Sequence, residues 1–401
     1  MSLRRRLLNA LHPATPVSGG HRVTLLCNGE AYFPALLQAI NTATSTIRLE
    51  TYLYADDAIG RAVTAALCAA ATRGVDVRLV VDGFGARNLD LYHLPLLKQA
   101  GVQVRVFRPE HHLWRHLLSG KRARLRRMHR KMAVFDGYTA FVGGINIIDD
   151  ATGNPSPTRL DFALQLKGPL LQAIARAMDR QWRTLSRLSF FRRTIRPAPT
   201  RVDASPSGNI EAAFLLRDNL AYRGNIEAAY AQAIAQARKE ITLAMAYFIP
   251  SRTILNALLA AAQRGVQVRL LLQGRIEYRL QHYAAQSLYT RLLAAGVALY
   301  EYQPGFMHAK VGVIDEQWAM VGSANLDPFS LLVAREANIL VLDRAFCTSL
   351  RLRLGHEIAE HSHQITGESW KKRSGLHRLL RILSARLLFR LLSLTRYANN
   401  Y

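Results

Sequence analysis

Two histidines, His129 and His308, each open the same pattern, His-x-Lys-x₄-Asp-x₆-Gly-[Gly/Ser]-x-Asn. The first copy continues through Lys131, Asp136, Gly143, Gly144 and Asn146, the second through Lys310, Asp315, Gly322, Ser323 and Asn325. A pair of imidazoles suits phosphodiester exchange through a covalent phosphohistidine. One attacks phosphorus, while the other gives a proton to the leaving alcohol and takes one from the incoming alcohol. The five-coordinate transition state concentrates negative charge on the non-bridging oxygens, so fixed cations (Lys131, Lys310) and amide donors (Asn146, Asn325) lower the barrier. Two copies with identical internal spacing, 179 residues apart, are not a chance match.

The elements that must position these residues are repeated too. Arg73-Gly-Val-Asp-Val-Arg-Leu-Val-Val-Asp-Gly83 precedes the first motif and Arg264-Gly-Val-Gln-Val-Arg-Leu-Leu-Leu-Gln-Gly274 the second. Arg159-Leu-Asp-Phe-Ala-Leu-Gln-Leu166 and Arg335-Glu-Ala-Asn-Ile-Leu-Val-Leu342 follow the motifs in the same order. This is a duplicated domain, with a period too long for a solenoid. Short apolar runs such as 77–81 and 268–272 suit buried strands, and Ala-rich stretches such as 60–72 and 254–263 suit helices. Alternating β-helix-β units predict an α/β fold with covered, largely parallel or mixed sheets. Within the motif, strand alternation puts His308 and Lys310 on one face, so imidazole and ammonium can reach one phosphate together. The expected units are a basic segment 1–21, a first domain 22–182, a linker 183–204, a second domain 205–365 and a tail 366–401.

Half of the 401 residues are apolar, enough for two substantial cores. Cys27, Cys68 and Cys347 are scattered, odd in number and without metal-ligand spacing; they read as small buried hydrophobes in a reducing compartment. No stretch reads as a signal peptide, and no apolar run is long enough to span a bilayer.

The formal net charge of +25 calls for an anionic partner, nucleic acid or an anionic membrane. Residues 370–401 carry eight Lys/Arg and no acid. Leu376, Leu379, Leu380, Leu383, Leu387, Leu388, Leu391 and Leu392 recur there at helical spacing, interrupted by Arg378, Arg381, Arg386 and Arg390. That is the pattern of a basic helix lying in a headgroup interface; the alternative is a terminal helix docked on the protein itself. A basic, apolar insertion at 111–128 has no counterpart in the second half and reads as a lip beside the site or as a solvated loop. His111, His112 and His116 within it lack acidic or cysteine partners, so no metal site is expected.

The twin motifs resemble those of the phospholipase D superfamily. The wider chain is similar to the B-type bacterial cardiolipin synthases, through Asn28-Gly-Glu-Ala-Tyr-Phe-Pro34, Leu49-Glu-Thr-Tyr52, Arg127-Met-His-Arg-Lys131, Arg217-Asp-Asn219, Ala246-Tyr-Phe-Ile-Pro250, Val321-Gly-Ser-Ala-Asn-Leu-Asp-Pro328 and Glu336-Ala-Asn338. The resemblance covers residues 22–365 and implies two phospholipase D-like α/β sandwich domains about a pseudo-twofold, each with a central mixed sheet. It implies an enzyme without cofactor or metal that joins two phosphatidylglycerols into cardiolipin and releases glycerol, peripheral on the cytoplasmic side of a bacterial membrane. Each imidazole needs a carboxylate on its far ring nitrogen to orient it. Resemblance and repeat position nominate Asp161 for His129 and Glu336 for His308. The motif aspartates Asp136 and Asp315 count with the catalytic set, though the resemblance implies that they brace the backbone. It also leans towards His129 as nucleophile and His308 as general acid, while the near symmetry of the repeat leaves the swap open.

Two classes of activity follow. One is a membrane-surface phosphatidyltransferase, with a hydrolase or a different headgroup donor as variants. The other is a phosphodiesterase or nuclease whose charge tracks a nucleic-acid backbone. Leucines interleaved with the C-terminal arginines favour the first, and no nucleic-acid partner is expected. Two motifs in one chain predict one site between the halves, so dimerisation is not required.

Overall fold

The structure, a computed structural model, describes residues 16–109, 126–149, 159–188, 200–218, 222–372 and 375–393. The first half runs β1 (Ser18–Cys27), α1 (Asn28–Thr42), β2 (Thr46–Thr51), α2 (Ala58–Thr72), β3 (Asp76–Asp82), α3 (Leu89–Gln99) and β4 (Gln103–Phe107). The motif hairpin β5 (Lys131–Phe135) and β6 (Thr139–Gly143) follows, then β7 (Phe162–Lys167) and the long helix α4 (Leu170–Leu188). The second half repeats the order with β8 (Ile210–Arg217), α5 (Asn225–Gln236), β9 (Glu240–Met245), α6 (Arg252–Gln263), β10 (Gln267–Gln273), α7 (Arg279–Gln286), α8 (Tyr289–Ala294) and β11 (Ala298–Tyr302). It ends with β12 (Lys310–Ile314), β13 (Trp318–Gly322), β14 (Glu336–Val341) and α9 (Arg344–His361), followed by β15 (Ser362–Ile365), α10 (Gly367–Lys371) and α11 (Gly375–Ser393).

The repeated sequence has a local reason. Gly74 and Gly265 take φ of +89° and +87°, the left-handed residue that ends a helix, and let the chain turn from α2 into β3 and from α6 into β10. The arginines before them reach sideways. Arg73 donates to the carbonyl oxygen of Ile40 (3.0 Å) and Arg264 to that of Ile234 (3.3 Å), each placing a cation on the C-terminal carbonyls of the preceding helix.

Hydrogen bonding joins the strands in the order β15-β11-β10-β9-β12-β13-β14-β8-β1-β7-β6-β5-β2-β3-β4. Apart from β15 at the outer edge of the second, the two wings carry equivalent strands in the same order and meet where β1 runs antiparallel to β8, with His21 opposite Ile210. In each wing a parallel trio (β2-β3-β4 or β9-β10-β11) continues into antiparallel strands, so the sheets are mixed. Their inner faces pack on one another. Met132, Val134 and Leu164 of the first half share a core with Val311, Val321 and Ile339 of the second. Separate cores lie on the outer faces under the helices, around Leu36, Leu67 and Leu79 in one half and Leu243, Leu258 and Leu270 in the other. The result is an outer helix layer on each sheet, with α4 and α9 packed into the core that the two sheets share. The halves are less independent than a tandem pair of domains suggests, because they own the middle core jointly.

The boundaries shift accordingly. Residues 18–21 already belong to β1, and 183–188 are the end of α4 rather than linker. The rest of the expected linker to residue 199, the insertion from 110 to 125 and the N-terminal residues 1–15 lie outside the described residues. The tail begins in the fold. A capping box on Thr366 starts α10, and Trp370 is buried against Tyr289 with ring centroids 4.9 Å apart.

The C-terminal helix α11 divides its leucines. It docks on the protein through Leu388, buried with Ile249 and Ala284, and it leaves Leu379, Leu383 and Leu387 exposed. The side chains of Leu376, Arg378, Leu391 and Leu392 lie outside what is described. Among the described residues no helix is long and apolar enough to cross a membrane.

Candidate active site

The motif lysines start β5 and β12, and each histidine lies two residues earlier, where the chain enters the hairpin from the seam between the wings. Short backbone ladders cross that seam. The amide of His129 donates to the carbonyl of Arg335 (3.0 Å) and the amide of Arg335 to that of Arg127 (2.8 Å). The amide of His308 donates to the carbonyl of Leu160 (2.8 Å) and the amide of Leu160 to that of Phe306 (3.1 Å). Each histidine is therefore laced to the strand entry of the opposite half.

That lacing corrects the expected pairing. His129 Nδ1 lies 3.1 Å from both carboxylate oxygens of Glu336, and His308 Nδ1 lies 2.7 Å from Oδ2 of Asp161. Asp161 does not serve His129, nor Glu336 His308. A carboxylate follows the residue that pairs with the other half's histidine, so the partners are exchanged. Each carboxylate is still seated by its own half's motif. Gly144 leaves the space Asp161 fills, since a Cβ there would come within 2.2 Å of Oδ1. Ser323, the equivalent residue, donates its hydroxyl to Glu336 (2.6 Å). The Gly-Gly and Gly-Ser variants of the motif thus match the Asp and Glu variants of the carboxylate.

The two imidazoles face each other across the seam with centroids 6.4 Å apart. With Nδ1 held by a carboxylate, which can only accept, that nitrogen carries the proton, and Nε2 is the atom left to attack or to exchange a proton. Lys131 Nζ donates to the carbonyl of His129 (2.8 Å), and Lys310 Nζ to that of His308. Asn146 and Asn325 accept through Oδ1 from the amides of Leu53 (3.0 Å) and Tyr247 (3.4 Å). Their amide nitrogens are then the ends left to donate to a substrate oxygen.

Electrostatics separate the two dyads. Burial lowers the proton affinity of His129, and Glu336 opposes that. Burial would raise Glu336, yet His129, Lys131 and the Ser323 hydroxyl outweigh it and hold the carboxyl below its ordinary range. Burial pushes Asp161 up to about 6 despite Lys310. His308 is driven well below the ordinary histidine value by burial, then by Lys310, Arg159 and Lys131. Burial also lowers Lys131 strongly and brings Lys310 to about 8. At neutral pH both imidazoles are neutral, and Lys310 keeps its charge beside them, where an anion can meet it. The surroundings differ as well. The Tyr52 ring packs 5.0 Å from the His129 ring, whereas Ala246 holds the equivalent strand position in the second half.

Asp136 and Asp315 stand apart from this group. Each sits past the far end of a five-residue motif strand, which spans about 17 Å. Asp136 accepts from the amides of Thr44 (2.9 Å), Ser45 (2.8 Å) and Thr46 (2.8 Å), and Asp315 from those of Arg238 (2.7 Å), Lys239 (2.8 Å) and Glu240 (3.0 Å). A carboxylate that ties a hairpin tip to the start of the next strand cannot also meet a phosphate at the opposite end, so the motif aspartates do not belong with the catalytic group. Asp136→Ala should cost about 2–4 kcal/mol of stability, read as a lower melting temperature. The rate per folded molecule should stay near wild type, and a collapse of that rate in well-folded protein would return Asp136 to the chemistry.

Sequence reasoning missed the support behind His129. Arg130 lies 3.2 Å from buried Glu50 and donates to Gln181 Oε1 (3.1 Å), which also accepts from Arg335. One glutamine on α4 therefore grips the residue after His129 and the residue before Glu336. The signal in the sequence is a glutamine, Gln181, on the otherwise largely apolar inner face of α4.

A seam between duplicated wings, with a histidine, lysine and asparagine from each, defines a two-motif phosphodiester-exchanging enzyme of the phospholipase D type. A family model described as "Cardiolipin synthase, PLD-like domain" matches residues 36–182 and 230–356, and the chain belongs to that family. It is 37% identical to cardiolipin synthase B of Escherichia coli K12 over 357 residues, 88% of this chain and 84% of that protein. It is 31% identical to cardiolipin synthase A of Pseudomonas putida F1 over 368 residues, 91% of this chain and 74% of the relative. In fold it is similar to the crystal structure of phosphatidylserine synthase from Haemophilus influenzae, with TM-score 0.70 over 99% of this chain and 98% of that one at 13% identity.

Proposed function

We propose that this chain is a cardiolipin synthase that moves a phosphatidyl group from one phosphatidylglycerol to another and releases glycerol. Its family and its relatives in Escherichia coli and Pseudomonas putida support that reading. The observation that carries it is the pair of facing imidazoles, each oriented by a buried carboxylate from the other half. His129, neutral beside an ionised Glu336, attacks phosphorus through Nε2. The P–O bond to the headgroup glycerol breaks, and the glycerol oxygen takes a proton from His308 Nε2. The anionic phosphodiester brings to His308 the negative charge that Lys310, Arg159 and Lys131 otherwise oppose, so substrate binding itself prepares the acid. Lys131, Lys310, Asn146 and Asn325 stabilise the equatorial oxygens. In the second half-reaction neutral His308 takes the proton of a second phosphatidylglycerol's hydroxyl. That oxygen displaces His129 from phosphorus, giving cardiolipin and the starting enzyme. The site needs no more than one chain. The working place is the surface of an anionic bacterial membrane, on its cytoplasmic side.

The test is phosphatidylglycerol vesicles with purified full-length protein, products read by mass spectrometry beside a His308→Ala control. Cardiolipin with stoichiometric glycerol, absent from the control, supports the synthase. Phosphatidic acid alone would make the enzyme a hydrolase, and no lipid turnover would defeat the reading.

The pH profile is a second check. As pH falls through about 6, Asp161 gains a proton and can no longer steady the His308 cation. As pH rises through about 8, Lys310 loses its charge and the transition state loses a cation. The kcat for a soluble short-chain phosphatidylglycerol, measured at saturation where the bound phosphodiester keeps His308 protonated, should therefore be greatest between these values. Lys310→Arg, which stays charged, should lower the plateau yet remove the alkaline limb. An alkaline limb unchanged in that variant would assign it to another group.

A further inference from the structure

Helix α3 is apolar on two sides. Leu89, His93 and Leu97 face the sheet and are buried. Leu91 on the outer face is 68% exposed, and Tyr92 and Leu96, at the rim of the groove between α3 and α2, are each 55% exposed. A surface helix ordinarily presents polar residues there. Large exposed apolar patches mark places where something docks.

The position of this patch says what docks. α3 follows the C-terminal end of β3, the end at which Asp82 accepts from the amide of Met128, next to His129. Leu91 therefore lies at the site's end of the first half. In the second half the same end carries α11, seated on Ile249, Ala284 and Phe329. There Leu379, Leu383 and Leu387, spaced by one helical turn each, are exposed alongside Arg386 and Arg390. Between the two patches the mouth is cationic and aromatic, with Arg87 and Arg127 against the exposed ring of Phe84 and Arg159 against that of Phe306. The chain as a whole carries +25.

We propose that α3 and α11 are two feet of one seat on an anionic bilayer, placed on opposite halves so that the seam with the histidines faces the lipid headgroups. The inference rests on the lipid substrate of the preceding section. It adds that α3 inserts apolar side chains, so that the chain is held at two separated points instead of by its basic tail alone. One foot would let the molecule pivot. Two feet fix the seam over the surface, where a donor and an acceptor lipid can enter from the same leaflet.

The test uses the full chain and vesicles of phosphatidylglycerol and phosphatidylethanolamine, with binding read by co-sedimentation. Leu91→Ser combined with Leu96→Ser should weaken binding by about tenfold or more, as expected when two large apolar side chains lose their burial. It should spare turnover of a soluble short-chain phosphatidylglycerol. Binding within about twofold of wild type would overturn the α3 foot. Because the double variant can also fail by misfolding, Tyr92→Trp gives an independent reading: its emission should shift to the blue on adding vesicles, and emission unchanged at saturating lipid would overturn the proposal. Binding does not depend on chemistry. Wild-type protein that binds through α3 but makes no lipid product would sink the synthase reading and leave the seat standing.

Discussion

His129→Ala should lower turnover by about 10⁵–10⁶-fold and eliminate the phosphoenzyme, because the covalent route has no substitute nucleophile at that position. His308→Ala should behave differently. It removes a proton donor, a loss of about 10²–10⁴-fold on a glycerol leaving group. A phosphatidyl ester of p-nitrophenol leaves without protonation, so His308→Ala should release a stoichiometric burst of p-nitrophenol and accumulate phosphohistidine. His129→Ala should give neither. If the burst and the adduct appear instead in His129→Ala, the two roles are exchanged, an outcome for which the different neighbours of the rings, Tyr52 and Ala246, would need a new account.

Glu336→Gln should cost about 10⁴-fold, comparable to the loss when the carboxylate behind a catalytic histidine is made an amide. The reason is the same: an amide can donate to Nδ1 and favour the wrong tautomer, leaving the proton on Nε2. The exchange across the seam makes the effect specific. Since Glu336 holds His129, its replacement should abolish nucleophilic attack even on the p-nitrophenyl ester. Asp161→Asn should resemble His308→Ala and retain the burst. Were Glu336→Gln to keep the burst while Asp161→Asn lost it, the carboxylates would serve the histidines of their own halves.

Much of this architecture was legible because it was written twice. The Arg-Gly-Val segments at 73 and 264 mark helix ends wherever they occur, and the identical motif spacing fixed which residues would meet. Pairing between halves was not legible. It depends on backbone ladders at Arg335 and Leu160 that have no side-chain signature, and a repeat read along the chain invites partners from the same copy. The motif aspartates, counted with the catalytic set although the resemblance implied that they brace the backbone, show a related limit of spacing. Fixed spacing shows that a residue is needed by the hairpin, without saying at which end. Gln181 and Tyr52 escaped notice because one lies on a helix far along the chain and the other carries no charge. The leucines of α11 were read as those of an interfacial helix or of one docked on the protein; Leu388 is docked, and Leu379, Leu383 and Leu387 are exposed.

The exchanged carboxylates bear on what a half of this molecule is. Neither half contains a complete histidine–carboxylate dyad, although each contains a whole motif. A single copy could have worked only as a symmetric pair, with two identical histidines meeting two identical carboxylates on the axis. Fusing the copies released them from sameness: Asp could diverge from Glu, Gly144 from Ser323 and Tyr52 from Ala246, so that attack and proton transfer could be assigned to different halves. The same arrangement divides the labour. A chain with one damaged motif keeps at most one of the two roles, attack or proton transfer, and two such chains with opposite defects can restore the full cycle only by trading halves.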